Sequence, residues 1–223
     1  MKNLLLLDAG YARYEKIWIL QKKLVEKRIH NKTIDTLILV EHPPVITLGK
    51  KAKKEEVLVS RDFLFRHKID CFYVDRGGKI TFHGPGQLVA YPVIDLSLDG
   101  KDIHLYLRNL EEVIIRLLGR LGIEGKRVKE YTGVWVKGKK IASIGIGVRK
   151  WITYHGLALN VNTDLSYFSL ISPCGMESEK ITSLSQILHT SLEMKKIKNL
   201  FLKCFCEVFQ RKIIQNEDYR GSA

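Results

Sequence analysis

Apolar residues recur at three- and four-residue spacing in three long stretches, and each predicts an amphipathic helix. Ile103, Leu107, Leu110, Ile114, Leu117, Leu118 and Leu121 form the clearest stripe, over Asp102–Leu121. Tyr14, Trp18, Gln21, Leu24 and Val25 mark a second over Tyr11–Ile29, with Lys16, Lys22, Lys23, Lys27 and Arg28 on its wet side. Met194, Ile197, Phe201, Cys204, Phe205 and Val208 mark a third, over Glu193–Ile213. Arg61–Lys68 and Ser183–Leu188 read as short helices, the first capped by Ser60. Asp164–Ser169 reads as a helical turn.

Between them lie short runs that are wholly apolar or alternate in polarity, the pattern of strands. They are Asn3–Asp8, Thr36–Val40, Val45–Leu48, Cys71–Val74, Lys79–His83, Gln87–Leu96, Gly133–Val136, Lys140–Val148 and Trp151–Val161. Lys137-Gly138-Lys139 is a hairpin turn signal, so the last three runs read as a meander. Hairpins and a meander beside separate helices place the chain among the α/β (α+β) folds.

The chain has 223 residues and 25.7 kDa, enough to bury a core without disulfides, and residues 1–223 are read as one domain. Four consecutive leucines near the N-terminus are too few for a membrane span or a signal peptide, so no membrane insertion and a reducing cytoplasm are expected. The net charge of +13 predicts a negatively charged partner. The basic residues are scattered over helices, loops and termini, without the aromatic interleaving of a nucleic-acid surface, so nucleic acid is not the expected partner.

Three stretches carry candidate chemistry. Arg76–Tyr91 reads RGGKITFHGPGQLVAY, with Arg76, Thr81, His83 and Gln87 among four glycines; more is present than a turn requires. Gly138–Gly145 reads GKKIASIG, and Ser172–Gly175 reads SPCG. Of the four cysteines, Cys204 lies on a helical stripe and Cys71 in an apolar strand, where a core thiol is expected; Cys206 lies off the stripe. Cys174 stands between Pro173 and Gly175, suited to a presented nucleophile. A thiol needs a nearby cation or base to ionise, and His83, His155 and Lys140 are candidates. By strand alternation Lys140 and Lys139 fall on opposite faces. Both also fit lysines that guard a hairpin edge, and these residues alone leave that choice open. No metal-ligand spacing is present.

In the order RGGKITFHGPGQLVAYP, GVWVKGKKIASIGIGVRKWITYHGLALNVNTDL and ISPCGM, the chain resembles the lipoyl(octanoyl) transferases from about Glu41 through Leu184. The resemblance implies an α/β sandwich similar to biotin and lipoate ligases, with a mixed, largely antiparallel sheet. It implies transfer of an octanoyl group from octanoyl-acyl carrier protein to a lysine of lipoyl domains, those of 2-oxoacid dehydrogenase subunits and the glycine cleavage H protein. No cofactor and no metal are implied. The family cysteine nucleophile falls on Cys174, and the lysine that lowers its pKa falls on Lys140. The acyl-binding segments fall on Arg76, Gly77, Gly78, Lys79, Ile80, Thr81, Phe82 and His83, on Ser143, Ile144 and Gly145, and on Gly156, Leu157 and Ala158. Backbone amides of the glycine-rich turn are candidate oxyanion donors. An ATP-dependent lipoate ligase is the nearest rival; it would need an adenylate site and no nucleophilic cysteine.

Overall fold

A computed structural model describes residues 1–129, 131–172 and 180–214. Its strands are β1 (Lys2–Tyr11), β2 (Thr36–Glu41), β3 (Val45–Leu48), β4 (Asp70–Tyr73), β5 (Ile80–His83), β6 (Gln87–Val93), β7 (Lys126–Val128), β8 (Tyr131–Val136), β9 (Lys139–Arg149), β10 (Ile152–Asn160) and β11 (Arg211–Ile214). The helices are α1 (Tyr14–Ile29), α2 (Arg61–Arg66), α3 (Ile103–Arg120), α4 (Leu184–Leu188) and α5 (Met194–Phe209). The main sheet runs β11-β1-β2-β6-β10-β9-β8-β7, and a smaller one runs β4-β3-β5. The main sheet is mixed: β1 pairs in parallel with β2 and β11, and every other pairing in it is antiparallel.

The apolar stripes of α3 and α5 bury Leu110, Ile114, Leu117, Phe201 and Phe205 against one face of the main sheet. On the other face, Tyr14, Ile17 and Leu24 of α1 pack with Val45 and Val74 of the smaller sheet's side. The smaller sheet's far face packs Ile46, Leu48 and Phe82 on Leu64 of α2. Asp102 and Ser60 cap α3 and α2 through their side chains, accepting from the amides of Leu105 and Phe63. Strand β6 is buried along its whole length although it contains Pro92, which has no N–H to donate. Beside it, the Thr153 hydroxyl donates to the Pro92 carbonyl at 2.8 Å and accepts from the Ile94 amide at 2.9 Å.

Three expectations are corrected. The N-terminal strand extends to Tyr11, so the first helix begins only at Tyr14. The last helix stops at Phe209, Gln210 turns at φ +50°, and Arg211–Ile214 becomes an edge strand parallel to β1. The cause is a buried charge cluster: the Asp35 carboxylate accepts from Arg211 Nη2 and Arg28 Nε, both at 3.0 Å, which fixes Arg211 beside β1. Cys71 is exposed and not a core thiol, whereas Cys204 is buried as its stripe predicts. No described helix is long and apolar enough to cross a membrane.

Candidate active site

The smaller sheet meets the main sheet at β5, β6, β9 and β10, and a cleft of about 680 Å³, counting its open mouth, lies along that junction. Its lining draws on the first two motif stretches and on β10. From the first come Arg76, Lys79, Ile80, Thr81 and His83; from the second Lys140, Ser143, Ile144 and Gly145; from β10, His155, Gly156, Leu157 and Ala158. Phe82 faces the other way, stacked on Tyr167 at 4.7 Å in the core under α2. Gly77 and Gly78 form the rim turn and do not line the cleft. Cys174, with its neighbours Pro173 and Gly175, lies outside the described residues. Tyr14, Val89, Tyr91, Phe168 and Ile181 also line the cleft, and periodicity marks them only as inward-facing.

The glycine-rich turn acts as a clasp between the sheets. The Gly77 amide donates to the Ile146 carbonyl at 2.7 Å, and the Arg76 and Gly78 carbonyls accept from the amides of Lys50 and Lys51. Arg76 Nη2 donates to the Thr47 carbonyl at 2.7 Å and to Thr47 Oγ1 at 2.9 Å. A side chain at Gly145 would come within 2.9 Å of the Gly77 carbonyl, so glycine there lets the clasp close on β9. The Gly86 amide donates to Glu41 Oε2. The amides of Gly77 and Gly86 are therefore engaged within the fold, which removes them from the expected oxyanion donors.

Lys140 reaches the cleft through a β-bulge. Val134 pairs with Ala142 and Trp135 with Lys140, leaving Ile141 as the extra residue. Ile141 and Ala142 both enter the core under α3, and Lys140 is thereby set on the side of Ser143 and Gly145. Strict alternation would have grouped it with Ala142 and Ile144. Its Nζ lies 5.0 Å from the Trp135 ring centroid, a cation–π contact, whereas Lys139 is exposed. Lys140 also bridges in parallel to Ile181, and its carbonyl accepts from the Thr182 amide at 3.0 Å. Ser172 donates its amide to the Glu56 carbonyl at 2.8 Å. The segment that carries Cys174 thus leaves the described chain at Ser172 and rejoins it at Lys180, beside Lys140.

Around the cleft the histidines are neutral bases. His42 Nδ1–H donates to the Ala12 carbonyl at 2.7 Å, so Nε2 accepts from the Tyr91 hydroxyl at 2.9 Å. Burial holds His42 down to about 4. His83 Nδ1–H donates to Gln87 Oε1 at 2.8 Å, and burial, helped by His42, holds it down to about 3. Gln87 Nε2 passes the network to Asn160 Oδ1 at 2.8 Å, and Asn160 Nδ2 to the Thr182 carbonyl at 3.0 Å. His155 occupies the left-handed region at φ +55° inside β10, held by its amide's bond to Gln21 Oε1 at 2.7 Å. Its Nε2–H donates to Asp75 Oδ1 at 2.9 Å, and the Tyr154 hydroxyl donates to Asp75 Oδ2 at 2.9 Å. The His155 bond, first among the causes, draws the Asp75 carboxyl well below the usual range. Among the described residues, no group of three His, Cys, Asp or Glu is placed to hold a metal ion. Chemically, the cleft offers apolar walls from Ile80, Val89, Ile144, Leu157 and Phe168, with Lys140 in the same lining. That suits an acyl chain whose reacting end lies by the lysine.

A profile of the lipoyl protein ligase A/B catalytic domain matches residues 13–206. The octanoyltransferase of Caldicellulosiruptor saccharolyticus is 47% identical over 211 residues, covering 93% of this chain and 90% of that protein. That of Nostoc punctiforme is 41% identical over 214 residues, covering 96% and 91%. Among solved structures, a lipoate-protein ligase A bound with ATP superposes at TM-score 0.74 and 20% identity, covering 96% of this chain and 88% of the other. The biotin protein ligase of Aquifex aeolicus superposes at TM-score 0.54 and 13% identity, covering 94% and 70%. At such identities the two structures speak for the fold alone.

Proposed function

The chain belongs to the lipoyl protein ligase A/B catalytic domain family, as an octanoyltransferase that serves lipoyl-domain acceptors, and on that premise we propose that it works through a thioester on Cys174. The observation that carries this reading is the bulge that turns Lys140 into the acyl cleft and bridges it to Ile181, at the foot of the segment bearing Cys174.

The Lys140 ammonium favours the Cys174 thiolate. The thiolate attacks the carbonyl carbon of octanoyl-acyl carrier protein. The new C–S bond forms, the carrier's C–S bond breaks, and the departing thiolate takes a proton from Lys140. The apolar walls of the cleft hold the octanoyl chain, with Ile80, Ile144 and Leu157 of the three acyl-binding segments supplying most of them. The ε-amine of the acceptor lysine then attacks the enzyme thioester; a C–N bond forms and the Cys174 C–S bond breaks. The amine proton passes to Lys140, which is restored. A thioester and an amine become an amide and a thiol, with no redox change and no need for ATP. The acceptors are lipoyl domains of 2-oxoacid dehydrogenase subunits and the glycine cleavage H protein.

Mixing with octanoyl-acyl carrier protein, quenching in acid and mapping the digest by mass should place an octanoyl adduct on Cys174. Transfer should proceed with ATP and magnesium absent, and Cys174→Ala should abolish both adduct and transfer. An adduct on Cys71, Cys204 or Cys206, or a requirement for ATP, would overturn the reading.

A further inference from the structure

On the outer face of the smaller sheet, α2 and the edge strand β4 enclose an open groove of about 1240 Å³. Val57, Val59, Leu64, Phe65, Ile69 and Tyr73 give it an apolar floor and walls. Phe65 is 83% exposed, Tyr73 63% and the neighbouring Leu58 58%, a concentration of large apolar side chains that marks an interaction surface. Its rim is basic. Lys54 and Arg61 line it, and Lys50, Lys51, Lys53 and Lys68 stand exposed nearby. Among the described residues no acid pairs with any of these six. The local carboxylates are mostly spent: Asp62 on Arg66, Asp70 on Arg13 at 3.3 Å and Glu56 on Lys79 at 3.5 Å. An apolar centre inside a cationic rim fits an acidic protein surface with an apolar patch of its own.

The groove is joined to the candidate active site. Leu64 and Ile69 belong to the same packed cluster as Phe168 and Ile181, which line the acyl cleft. Val57 pairs with Ile171, and the Glu56 carbonyl holds the amide of Ser172, the last described residue before the Cys174 segment. The groove therefore shares a packed cluster of side chains with the cleft but none of its lining residues. An acceptor lysine, on a short side chain, must bring its own domain over the mouth. A donor carries its acyl group on a long flexible arm and can dock to one side.

We infer that the groove between α2 and β4 is the docking surface for the acidic carrier protein that brings the acyl group. The inference rests on the reading above for the donor's identity. The variants Phe65→Ser and Arg61→Glu change exposed residues outside the acyl cleft, and Lys203→Glu on α5 makes the charge change of Arg61→Glu elsewhere on the surface. Labelled holo-acyl carrier protein is titrated into each full-length variant, and kcat/KM is measured with octanoyl-acyl carrier protein and with octanoyl-pantetheine. Each groove variant should weaken carrier binding and kcat/KM for the carrier-borne donor about tenfold. The small donor should change less than about twofold, and Lys203→Glu should leave both near the parent. Unchanged carrier binding, a loss shared equally by both donors, or a raised KM for the lipoyl domain alone would each overturn it. The binding titration separates this failure from that of the chemistry: a parent that transfers from neither donor refutes the thioester reading, while the groove stands or falls on the titration.

Discussion

His42 and His83 are buried beside the cleft as neutral bases, and burying a group that water would protonate makes folding depend on pH. The unfolded chain binds a proton at each histidine from about pH 6.5 downward. The folded protein resists until about 4 at His42 and about 3 at His83. Between those values the unfolded state holds more protons, so stability is complete above about pH 6.5 and falls as the pH drops. The slope approaches about 1.4 kcal/mol per pH unit for each histidine. Urea unfolding at pH 7.5 and at pH 5 should show the loss, and His42→Gln, which cannot take the proton, should reduce it to the share that His83 carries. A parent with no slope between those pH values, or an equal slope in His42→Gln, would contradict the buried neutral imidazole.

A single irregular pairing within the β8–β9 hairpin decides what Lys140 can do. Beside the bulge at Ile141, Gly133 pairs with Ser143 and sits at φ +143°, a conformation that an L side chain rarely adopts. A side chain there would meet the Ala142 carbonyl at 2.5 Å and Lys140 Cε at 2.7 Å. The Gly133 amide is also committed, donating at 3.0 Å to Glu111 Oε1 in the core. Gly133→Ala should therefore cost about 1–3 kcal/mol of stability and push the lysine away from Ile181. In the folded variant the transfer rate should fall, and the pH midpoint for iodoacetamide alkylation of Cys174 should climb toward the ordinary thiol value of about 8.5. A midpoint that stays at the parent's value would disconnect the bulge from the thiol.

For the molecule as a whole, the charge of +13 and the long-range field it makes bear on encounter more than on tightness. In the proposed transfer two protein partners, donor and acceptor, meet one cleft in turn. Screening shortens to about 10 Å at 0.1 M salt, so association with an acidic carrier should slow as salt rises. Over a sodium chloride series from about 0.05 to 0.5 M, kcat/KM for octanoyl-acyl carrier protein should drop about tenfold. Octanoyl-pantetheine, without the protein, should lose far less. Parallel salt slopes for the two donors would mean that the surface charge does not guide the encounter.

Much of the fold was legible in the order of apolar and polar residues, because burial imposes its own period on the chain. The stripes of α3 and α5 follow from that alone, and the cap at Ser60 and the β8–β9–β10 meander from it together with a capping side chain and a hairpin turn signal. The acyl chemistry was implied by the family resemblance that RGGKITFH, GKKIASIG and SPCG carry, while those residues alone left lysine and glycine roles open. What the chain by itself could not decide was set by contacts between distant segments. Alternation counts residues within one strand, so it could not show the bulge that regroups Lys140 with Ser143; the bulge arises from pairing with β8. Helical spacing ran the last helix on to Ile213, whereas Arg211 is claimed by Asp35, far away in sequence, and becomes a strand. Cys71 looked like core because its strand is apolar, yet β4 is an edge and its outer face is open. The amides of the glycine-rich turn were candidate oxyanion donors, but the Gly77 amide and the Arg76 and Gly78 carbonyls are drawn into a clasp between the two sheets, and only the assembled sheets could supply those partners.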